Sequence, residues 1–334
     1  MFSFFLSART GPIVLPRAVS LVALAAGLLG LLPSCSKDNE AVTAATPNKI
    51  TVPQRALSPE GIQYDEANQR FIVSSRTQGR IGTVRDDSTY TQLADDARLI
   101  STIGLHLDAT RQRLLAAVSD AGANTSRSTA NTLRKLAALA IFNPSSGALL
   151  QYVDLGALRP TLPHFANDIA VDTQGNAYIT DSLSPIIYKV DAQGVATVFL
   201  ENAQLSGGNA FGLNGIVFHP DGYLLVAKSN DGTLFKVSLT NPTGFTTVTS
   251  TQSLVGADGL LLLDNTTLLV VAGSQSTVFR MASSDAWATT RPTGSFATGA
   301  VSPTTITRRN NTEAFVLYPY TATSPRFAIT KAVF

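Results

Sequence analysis

The chain has 334 residues, a length that fits one large all-β domain or two ordinary domains. Charged residues make up 14% and hydrophobic residues 44%, with a formal net charge of +2 at pH 7. This composition favours short strands and tight turns over long exposed helices. It offers no concentrated basic surface, so nucleic acid is not an expected partner.

The N-terminal 34 residues have the pattern of a secretory signal. Arg9 and Arg17 precede an apolar run that ends at Leu32 and is too short to span a bilayer comfortably. The only cysteine of the chain, Cys35, follows in a Leu-Pro-Ser-Cys ending that resembles a bacterial lipobox. We therefore predict a lipoprotein signal peptide over residues 1–34 and lipidation of Cys35. An uncleaved signal anchor is the alternative.

This N-terminus predicts a location as well as a domain order. A lipidated cysteine would anchor the protein in the bacterial cell envelope, facing either the periplasm or the exterior. The anchor would be its only contact with the membrane. Residues 35–48 are small and polar, as a flexible tether requires. We expect residues 49–334 to form one domain, and nothing in them indicates an oligomer, so we expect a monomer.

The rest of the chain repeats itself. Six segments each begin with a turn residue and continue as an apolar strand, a polar turn and a second apolar strand; they start at Pro59, Ser101, Ala166, Leu213, Ala257 and Pro303. Third strands follow, and four repeats continue into a fourth strand, in TYTQLA, GALLQYVDL, GVATVFLE and GFTTVTST. The first strand ends in an aspartate in three repeats, at Asp108, Asp172 and Asp264, and this side chain can hydrogen-bond the backbone of the turn that follows. Two of the turns contain a glycine that can adopt a positive φ, Gly175 and Gly222.

The spacing of the repeats predicts a six-bladed β-propeller with four-stranded blades. Equivalent positions are 43, 64, 47, 44 and 46 residues apart, a period typical of propellers. The last repeat stops after its third strand, so we expect the N-terminal strand candidate at Lys49–Pro53 to complete that blade and close the ring. Pro53 is tolerated there because the strand is an edge. A solenoid or two sandwiches are the alternatives.

Two irregular segments interrupt the repeats. The long step contains an insertion of about twenty residues between Asp120 and Leu136 that is rich in Ser, Thr, Asn and Ala. We predict a loop over one face of the propeller. The single tryptophan, Trp287, lies in SSDAWATT, which we predict to be a surface turn.

One position of the repeat suggests a metal site. The first strand of each blade lines the channel of a propeller, so the residue just before equivalent strands recurs around one axis. That position holds Glu60, Ile103, Asn167, Asn214, Asp258 and Thr304. Two carboxylates and two amides suit a hard divalent cation, Ca²⁺ first, with Mg²⁺, Mn²⁺ or Zn²⁺ as competitors. The alternative is that Asn and Asp are merely the residues that turns require.

These positions resemble those of a known family. The chain resembles the senescence marker protein / gluconolactonase / luciferin-regenerating enzyme family at four two-residue motifs, which begin at Glu60, Asn167, Asn214 and Asp258. These motifs lie within the segments PEGIQYD, HFANDIAVDTQGNAYITDS, FGLNGIVFHPDGYLLVAKS and ADGLLLL. The closest similarity is to its calcium-dependent phosphotriesterase-like branch. Members are six-bladed propellers with one divalent cation in the channel, and many are lactonases.

The resemblance implies roles for individual residues. It implies metal ligands at Glu60, Asn214 and Asp258, a metal or substrate contact at Asn167, and a general base at Asp258. The function implied is hydrolysis of a small lactone or ester, the cation polarising the carbonyl and activating water. The alternative is a propeller that binds a ligand or partner without turnover and holds a structural metal.

The expected substrate pocket departs from the lactonase pattern. Lactonases carry an arginine two residues before the position of Asn167, where this chain has Phe165, which argues against a polyhydroxylated sugar lactone. Phe165 and Phe211 flank the ligand loops and are expected to form an apolar wall. His164 is the histidine best placed to contact substrate. His106 and His219 are expected to be structural.

The lipidation hypothesis makes a direct prediction. Cells that express the chain with radiolabelled fatty acid should label the wild-type protein, because the thiol of Cys35 is the expected acceptor. The Cys35→Ala variant should stay unlabelled at equal expression. A Cys35→Ala variant that still labels would rule out a lipid anchor at this position.

Overall fold

The structure is a computed structural model that describes residues 46–319 and 326–334. The predicted signal peptide, Cys35 and most of the predicted tether lie outside the described residues. The described part is all-β, with short 3-10 helices at Ala109–Arg111, Gly156–Leu158, Ala203–Leu205, Pro242–Gly244 and Gly273–Gln275. Among these residues, no helix is long and apolar enough to cross a membrane.

The strands follow the repeats of the sequence. The first two repeats form β2 (Ile62–Asp65), β3 (Arg70–Val73), β4 (Ile81–Val84), β5 (Tyr90–Ala94), β6 (Ser101–Asp108), β7 (Arg113–Ser119), β8 (Ala137–Phe142) and β9 (Leu149–Asp154). The next two form β10 (Ala166–Val171), β11 (Ala177–Asp181), β12 (Ile186–Val190), β13 (Ala196–Glu201), β14 (Leu213–His219), β15 (Tyr223–Lys228), β16 (Thr233–Ser238) and β17 (Thr246–Ser250). The last two form β18 (Ala257–Asp264), β19 (Thr267–Ala272), β20 (Thr277–Ala282), β21 (Thr289–Ala297), β22 (Ile306–Arg308), β23 (Ala314–Tyr318) and β24 (Phe327–Ala332).

Hydrogen bonding joins the described strands into four sheets of four strands and one of eight, a propeller-like arrangement. The eight-stranded sheet contains the fourth and fifth repeats. They are joined because β17 and β21 pair in parallel, with Thr249 opposite Thr289 and Ser250 opposite Thr290. Strand β21 is a fourth strand that the sequence analysis missed, since its Arg-Pro-Thr-Gly stretch resembles a loop more than a strand.

The N-terminal strand completes the sheet of the last repeat, as predicted. Strand β1 (Lys49–Val52) pairs antiparallel with β24, with Lys49 opposite Thr330 and Val52 opposite Phe327. Its side chains alternate between exposed and buried, and Ile50 and Val52 face the core. The first described strand of the chain is therefore hydrogen-bonded to the last.

The innermost strands form a closed ring. Strands β2, β6, β10, β14, β18 and β22 each lie at an edge of a sheet. Each contacts the next in this order, and β22 contacts β2. The buried apolar side chains of the described residues fall into six clusters, each between one repeat and the following one. Packing between repeats therefore runs continuously around the ring.

The predicted turns form as expected. Asp172 ends β10 and its Oδ1 accepts the backbone N–H groups of Gln174 and Asn176, both at 2.9 Å. Gly175 and Gly222 have φ of +89° and +84°, values that favour glycine. These local bonds satisfy the backbone groups that the hairpin leaves unpaired.

Trp287 corrects one expectation. It lies in a turn between exposed neighbours, as predicted, but its own side chain is fully buried, and its indole N–H donates to the backbone oxygen of Asn265 at 2.9 Å. It packs in the cluster between the fourth and fifth repeats. The apolar area of a tryptophan outweighs the turn-like polarity of its neighbours in sequence.

Closure by β1 predicts a large loss of stability on truncation. A chain that begins at Pro59 should melt at a much lower temperature than one that begins at Thr46. It loses the buried side chains of Ile50 and Val52, worth about 1.5–3 kcal/mol each, and leaves the edge of β24 unpaired. The measurement is thermal unfolding by circular dichroism.

The double variant Ile50→Ala, Val52→Ala removes the same buried side chains from the full-length chain and should lower the melting temperature less than truncation does. Lys49→Ala, on the exposed face of β1, is its control. Equal melting temperatures for the two truncated chains would show that β1 does not close the ring.

Candidate metal centre

Three of the four candidate ligands lie where the innermost strands are irregular, whereas Glu60 precedes β2. In β6, β10, β14 and β18, pairing with the following strand is interrupted near the start of the strand, and β18 has a second interruption between Leu262 and Asp264. At the first interruption the unpaired residues are 103–104, 167–168, 214–215 and 258–259, which are equivalent positions of the repeats. A β-bulge of this kind redirects side chains and is common beside functional sites. The bulges explain why Asn167, Asn214 and Asp258 leave the regular alternation of the strand.

The four candidate ligands share one cavity. Glu60, Asn167, Asn214 and Asp258 line one cavity of about 300 Å³. The two remaining equivalent residues, Ile103 and Thr304, line it as well. Ile103 offers no polar atom, and the hydroxyl of Thr304 donates to the backbone oxygen of Glu60 at 3.0 Å.

Hydrogen bonding orients one of the two asparagines. The Asn167 side-chain NH₂ donates to Ser182 Oγ at 2.8 Å, and the hydroxyl of Ser182 donates in turn to the backbone oxygen of Leu213. The carbonyl oxygen of Asn167 is therefore the available end of its amide. The Asn214 side chain lies near Asp258 and acts to lower the pKa of that carboxyl group. Amide and carboxylate oxygens are the ligands that Ca²⁺ prefers.

The two carboxylates are in an unfavourable environment for negative charge. Burial and the charge of Asp168 raise the pKa of Glu60 to about 8, against the opposing effect of Arg76. Burial, followed by the charges of Glu60 and Asp168, raises the pKa of Asp258 well above its ordinary value. Without a compensating cation, the pair therefore holds a proton at neutral pH. A divalent cation would favour both ionised forms.

Asp168 is a third half-buried carboxylate beside the site. It occupies a position where most repeats have glycine, and its Oδ1 and Oδ2 accept the backbone N–H groups of Ile169 and Ile216 at 2.9 and 3.2 Å. Burial raises its pKa to about 7, although these hydrogen bonds oppose the shift. It lines a second cavity, of about 280 Å³, further along the same strands. Asp168 links the strand of Asn167 to that of Asn214.

One wall of the cavity is apolar. Phe165 and Phe211 line it, and their rings meet edge to face with centroids 5.0 Å apart. Ala121 and Ala123, from the inserted loop, line it as well. The buried carboxylate of Asp120 holds the loop, because it accepts hydrogen bonds from the hydroxyl groups of Ser128 and Thr132. The insertion therefore forms part of the cavity wall.

His164 does not have the role expected from the sequence. It is not among the residues that line the cavity. Its Nδ1 lies 2.7 Å from Asp181 Oδ2 and its Nε2 lies 2.9 Å from the backbone oxygen of Arg159. Burial opposes its charge, but the hydrogen bond and charge of Asp181 outweigh burial and raise its pKa. Both nitrogens are occupied by protein acceptors, so His164 is structural.

The sequence analysis missed Arg76 as a residue of this cavity. Its backbone N–H donates to the carbonyl two residues before Glu60, as those of Ser182 and Ser229 do before Asn167 and Asn214. An alignment of the repeats on their second strands shows an arginine at this position, where the third and fourth repeats have Ser182 and Ser229 and the fifth has Gly273.

The donor set fits a hard cation that uses amide oxygens. Within residues 46–319 and 326–334, no three His, Cys, Asp or Glu side chains form a group that could hold a metal alone. Glu60 and Asp258 therefore need Asn167 and Asn214 as neutral ligands. A set of four oxygens without histidine or cysteine favours Ca²⁺ over Zn²⁺.

A propeller-like ring with polar residues at its bulges defines the class of the protein, and the family follows from its sequence. Residues 58–293 match the family described as SMP-30/Gluconolactonase/LRE-like region. The chain belongs to this family. A comparison with curated proteins gave no match.

Solved structures share the fold. The allergen Mala s 1 of Malassezia sympodialis is 18% identical with a TM-score of 0.70, over 86% of this chain and 97% of that one. A gluconolactonase of Xanthomonas campestris is 17% identical with a TM-score of 0.58, over 84% and 88%. A calcium-binding regucalcin of Agrobacterium tumefaciens is 14% identical with a TM-score of 0.61, over 86% and 95%. At these identities the similarity establishes the fold alone.

The cavity predicts proton-coupled Ca²⁺ binding. Titration of Ca²⁺ into the full-length chain at pH 7 should release protons, because the cation needs ionised carboxylates and the pKa of Glu60 is raised to about 8. The apparent affinity should therefore rise from about pH 6 to about pH 8. Calorimetry in two buffers of different ionisation enthalpy measures both quantities.

The variant Asp258→Asn should weaken Ca²⁺ binding by at least about 100-fold, since even partners outside a ligand set contribute about 10-fold to 100-fold. Asp264→Asn, at the exposed end of the same strand, is the matched control and should bind normally. Unchanged affinity in Asp258→Asn would mean that this cavity is not a metal centre.

Proposed function

We propose that this protein is a metal-dependent hydrolase of a small lactone or ester with an apolar portion. The observation that carries the proposal is one cavity that combines Glu60, Asn167, Asn214 and Asp258 with an aromatic wall. Membership of the SMP-30/gluconolactonase family supports it, as do the names of two proteins with the same fold, a gluconolactonase and a calcium-binding regucalcin.

We assign metal binding to four residues of the cavity and proton transfer to one of them. Glu60, Asn167, Asn214 and Asp258 would hold a divalent cation, Ca²⁺ in preference to Mg²⁺, Mn²⁺ or Zn²⁺. When bound, such a cation supplies Lewis acidity that polarises a carbonyl and lowers the pKa of water. Asp258 would accept the proton of the attacking water as general base, since the bound cation would keep its carboxylate ionised near neutral pH.

The aromatic wall determines which substrate is bound. Phe165 and Phe211 would bind the apolar part of the substrate and exclude water from that side of the cavity. Phe165 stands two residues before Asn167, where lactonases carry an arginine. A sugar lactone with several hydroxyl groups would find few partners on this wall, so an alkyl-substituted lactone or ester is the better match.

We also propose six blades for the propeller. Counting the eight-stranded sheet as two blades, β14–β17 and β18–β21, gives each repeat one blade. The closed ring of six edge strands and the apolar clusters between successive repeats support this count. On this view, the parallel pairing of β17 with β21 joins the outer edges of two adjacent blades.

The proposed protein works outside the cytoplasm. We propose a signal peptide over residues 1–34, lipidation of Cys35, a tether over 35–48 and a propeller over 49–334. The product would be a monomer held in the cell envelope by its lipid alone, with a small-molecule substrate as its partner.

A second function shares the same cavity. The protein would bind a small apolar ligand without turnover, and the cation would have a structural role. The replacement of the lactonase arginine by Phe165 favours this alternative. The two functions make the same prediction for Ca²⁺ binding and differ only in turnover.

Turnover of a substrate panel separates them. The Ca²⁺-loaded full-length chain should hydrolyse alkyl-substituted lactones and aryl esters faster than gluconolactone. Asp258→Asn should lower kcat by about 100-fold or more, the contribution typical of a positioned acid or base. Release of nitrophenol or acid is the measured quantity.

Asp264→Asn serves again as the control and should retain full activity. If the Ca²⁺-loaded wild type hydrolyses no member of the panel, the binding function is the correct one.

A further inference from the structure

The mouth of the cavity contains a guanidinium held in a fixed position. Arg76 follows β3 and lines the cavity, yet the residue is exposed to solvent. Its Nη2 and Nε donate to Ser58 Oγ at 2.9 and 3.3 Å. Its backbone N–H donates to the backbone oxygen of the same serine. Ser58 thus holds both the guanidinium and the backbone N–H of Arg76.

Ser58 is held in an unusual conformation to do this. Its φ is +41° and that of Ala56 is +57°, in the left-handed region that residues other than glycine rarely adopt. Hydrogen bonds clamp the segment: the hydroxyl of Thr77 donates to the backbone oxygen of Ala56 and that of Ser75 to the backbone oxygen of Leu57. Strained backbone that neighbouring bonds maintain is often found at ligand-binding sites.

The guanidinium keeps unused donors. A guanidinium has five N–H donors, and Ser58 accepts from two of its nitrogens. Within the described residues, Arg76 has no carboxylate within ion-pair distance, whereas Arg70, Arg113 and Arg309 are each paired. The edge formed by Nη1 and Nη2 is therefore free to donate two parallel hydrogen bonds, the arrangement that matches a carboxylate.

The rest of the cavity complements such a group. Phe165 and Phe211 provide apolar surface in the same cavity, and Phe211 is itself 42% exposed at the mouth. The positive charge of Arg76 acts on Glu60 and Asp258. A divalent cation would neutralise these two carboxylates. Arg76 would then be left as the charge available to a ligand.

We propose that Arg76 binds a carboxylate of the substrate, so that the substrate class is an ester or lactone that has an alkyl segment and a free carboxylate. This inference rests on the proposed hydrolase function and deepens it. The reacting carbonyl would lie at the oxygen ligands, the alkyl segment against the phenylalanines and the carboxylate on the free edge of the guanidinium. Ser58 is a positioning residue that holds that edge toward the cavity.

A matched pair of substrates tests the proposal in the full-length, Ca²⁺-loaded chain. The mono-4-nitrophenyl ester of adipic acid and 4-nitrophenyl hexanoate share a six-carbon acyl chain and differ in a terminal carboxylate. The wild type should prefer the acidic ester. Arg76→Gln should lower kcat/KM for the acidic ester by about 10-fold to 100-fold, mainly through KM, the loss expected for charge-assisted hydrogen bonds. Hydrolysis of the neutral ester should change little.

Further variants separate the parts of the proposal. Arg76→Lys should retain only part of the preference, because an ammonium cannot donate a bidentate pair. Ser58→Ala should reduce it as well, since the guanidinium loses its anchor. Arg80→Gln is the control, because Arg80 pairs with Asp95 and does not line the cavity. An unchanged ratio between the two esters in Arg76→Gln would overturn the proposal.

A binding assay keeps this result distinct from failure of the hydrolase function. If the wild type hydrolyses neither ester, calorimetric binding of adipic acid monoamide and hexanamide replaces turnover. Tighter binding of the acid by the wild type, lost in Arg76→Gln, would support the carboxylate site in a non-catalytic protein. Equal binding of the two amides by the wild type would refute it.

Discussion

The close approach of the innermost strands is the constraint on which the site depends. The residue after each ligand position is usually glycine, and a Cβ at Gly215 would lie 2.1 Å from the backbone oxygen of Asp258. At Gly61 and Gly104, it would lie 2.3 and 2.4 Å from a backbone oxygen of the following inner strand. Only without side chains at these positions can the strands come near enough for their bulges to face one cavity. Asp168 and Thr305 are the exceptions, and the carboxylate of Asp168 bridges the gap to the next strand by a hydrogen bond.

The close approach of the strands places two carboxylates in one cavity, where their negative charges are unfavourable. Bringing Glu60 and Asp258 into one cavity raises the pKa of both carboxyl groups, because the cavity reduces the solvation of their charges. The amides of Asn167 and Asn214 are neutral and add no counter-charge. A divalent cation resolves this conflict in the proposed function. The exposed Arg76 reduces it only in part, and so remains available for a ligand at the mouth.

Other polar groups near the cavity support its apolar wall. Asp181 accepts hydrogen bonds from His164 and from the hydroxyl of Tyr188 through one oxygen. Its other oxygen accepts the backbone N–H of Phe165 at 2.9 Å, fixing the residue that lines the cavity. The buried histidine and carboxylate thus position an aromatic ring. This explains why a histidine three residues from a candidate ligand need not touch substrate itself.

The sequence by itself determined the repeats, the turn residues and the register of the candidate ligands, because strand period and turn chemistry are local properties. It also predicted that a strand at Lys49–Pro53 would pair with the end of the chain, since an incomplete last repeat requires a fourth strand. Only the tertiary structure decided which side chains share a cavity. His164 was excluded and Arg76 included by contacts with Asp181 and Ser58, 17 and 18 residues away in the chain. The burial of Trp287 and the parallel pairing of β17 with β21 were likewise decided by packing between repeats, which no local pattern encodes.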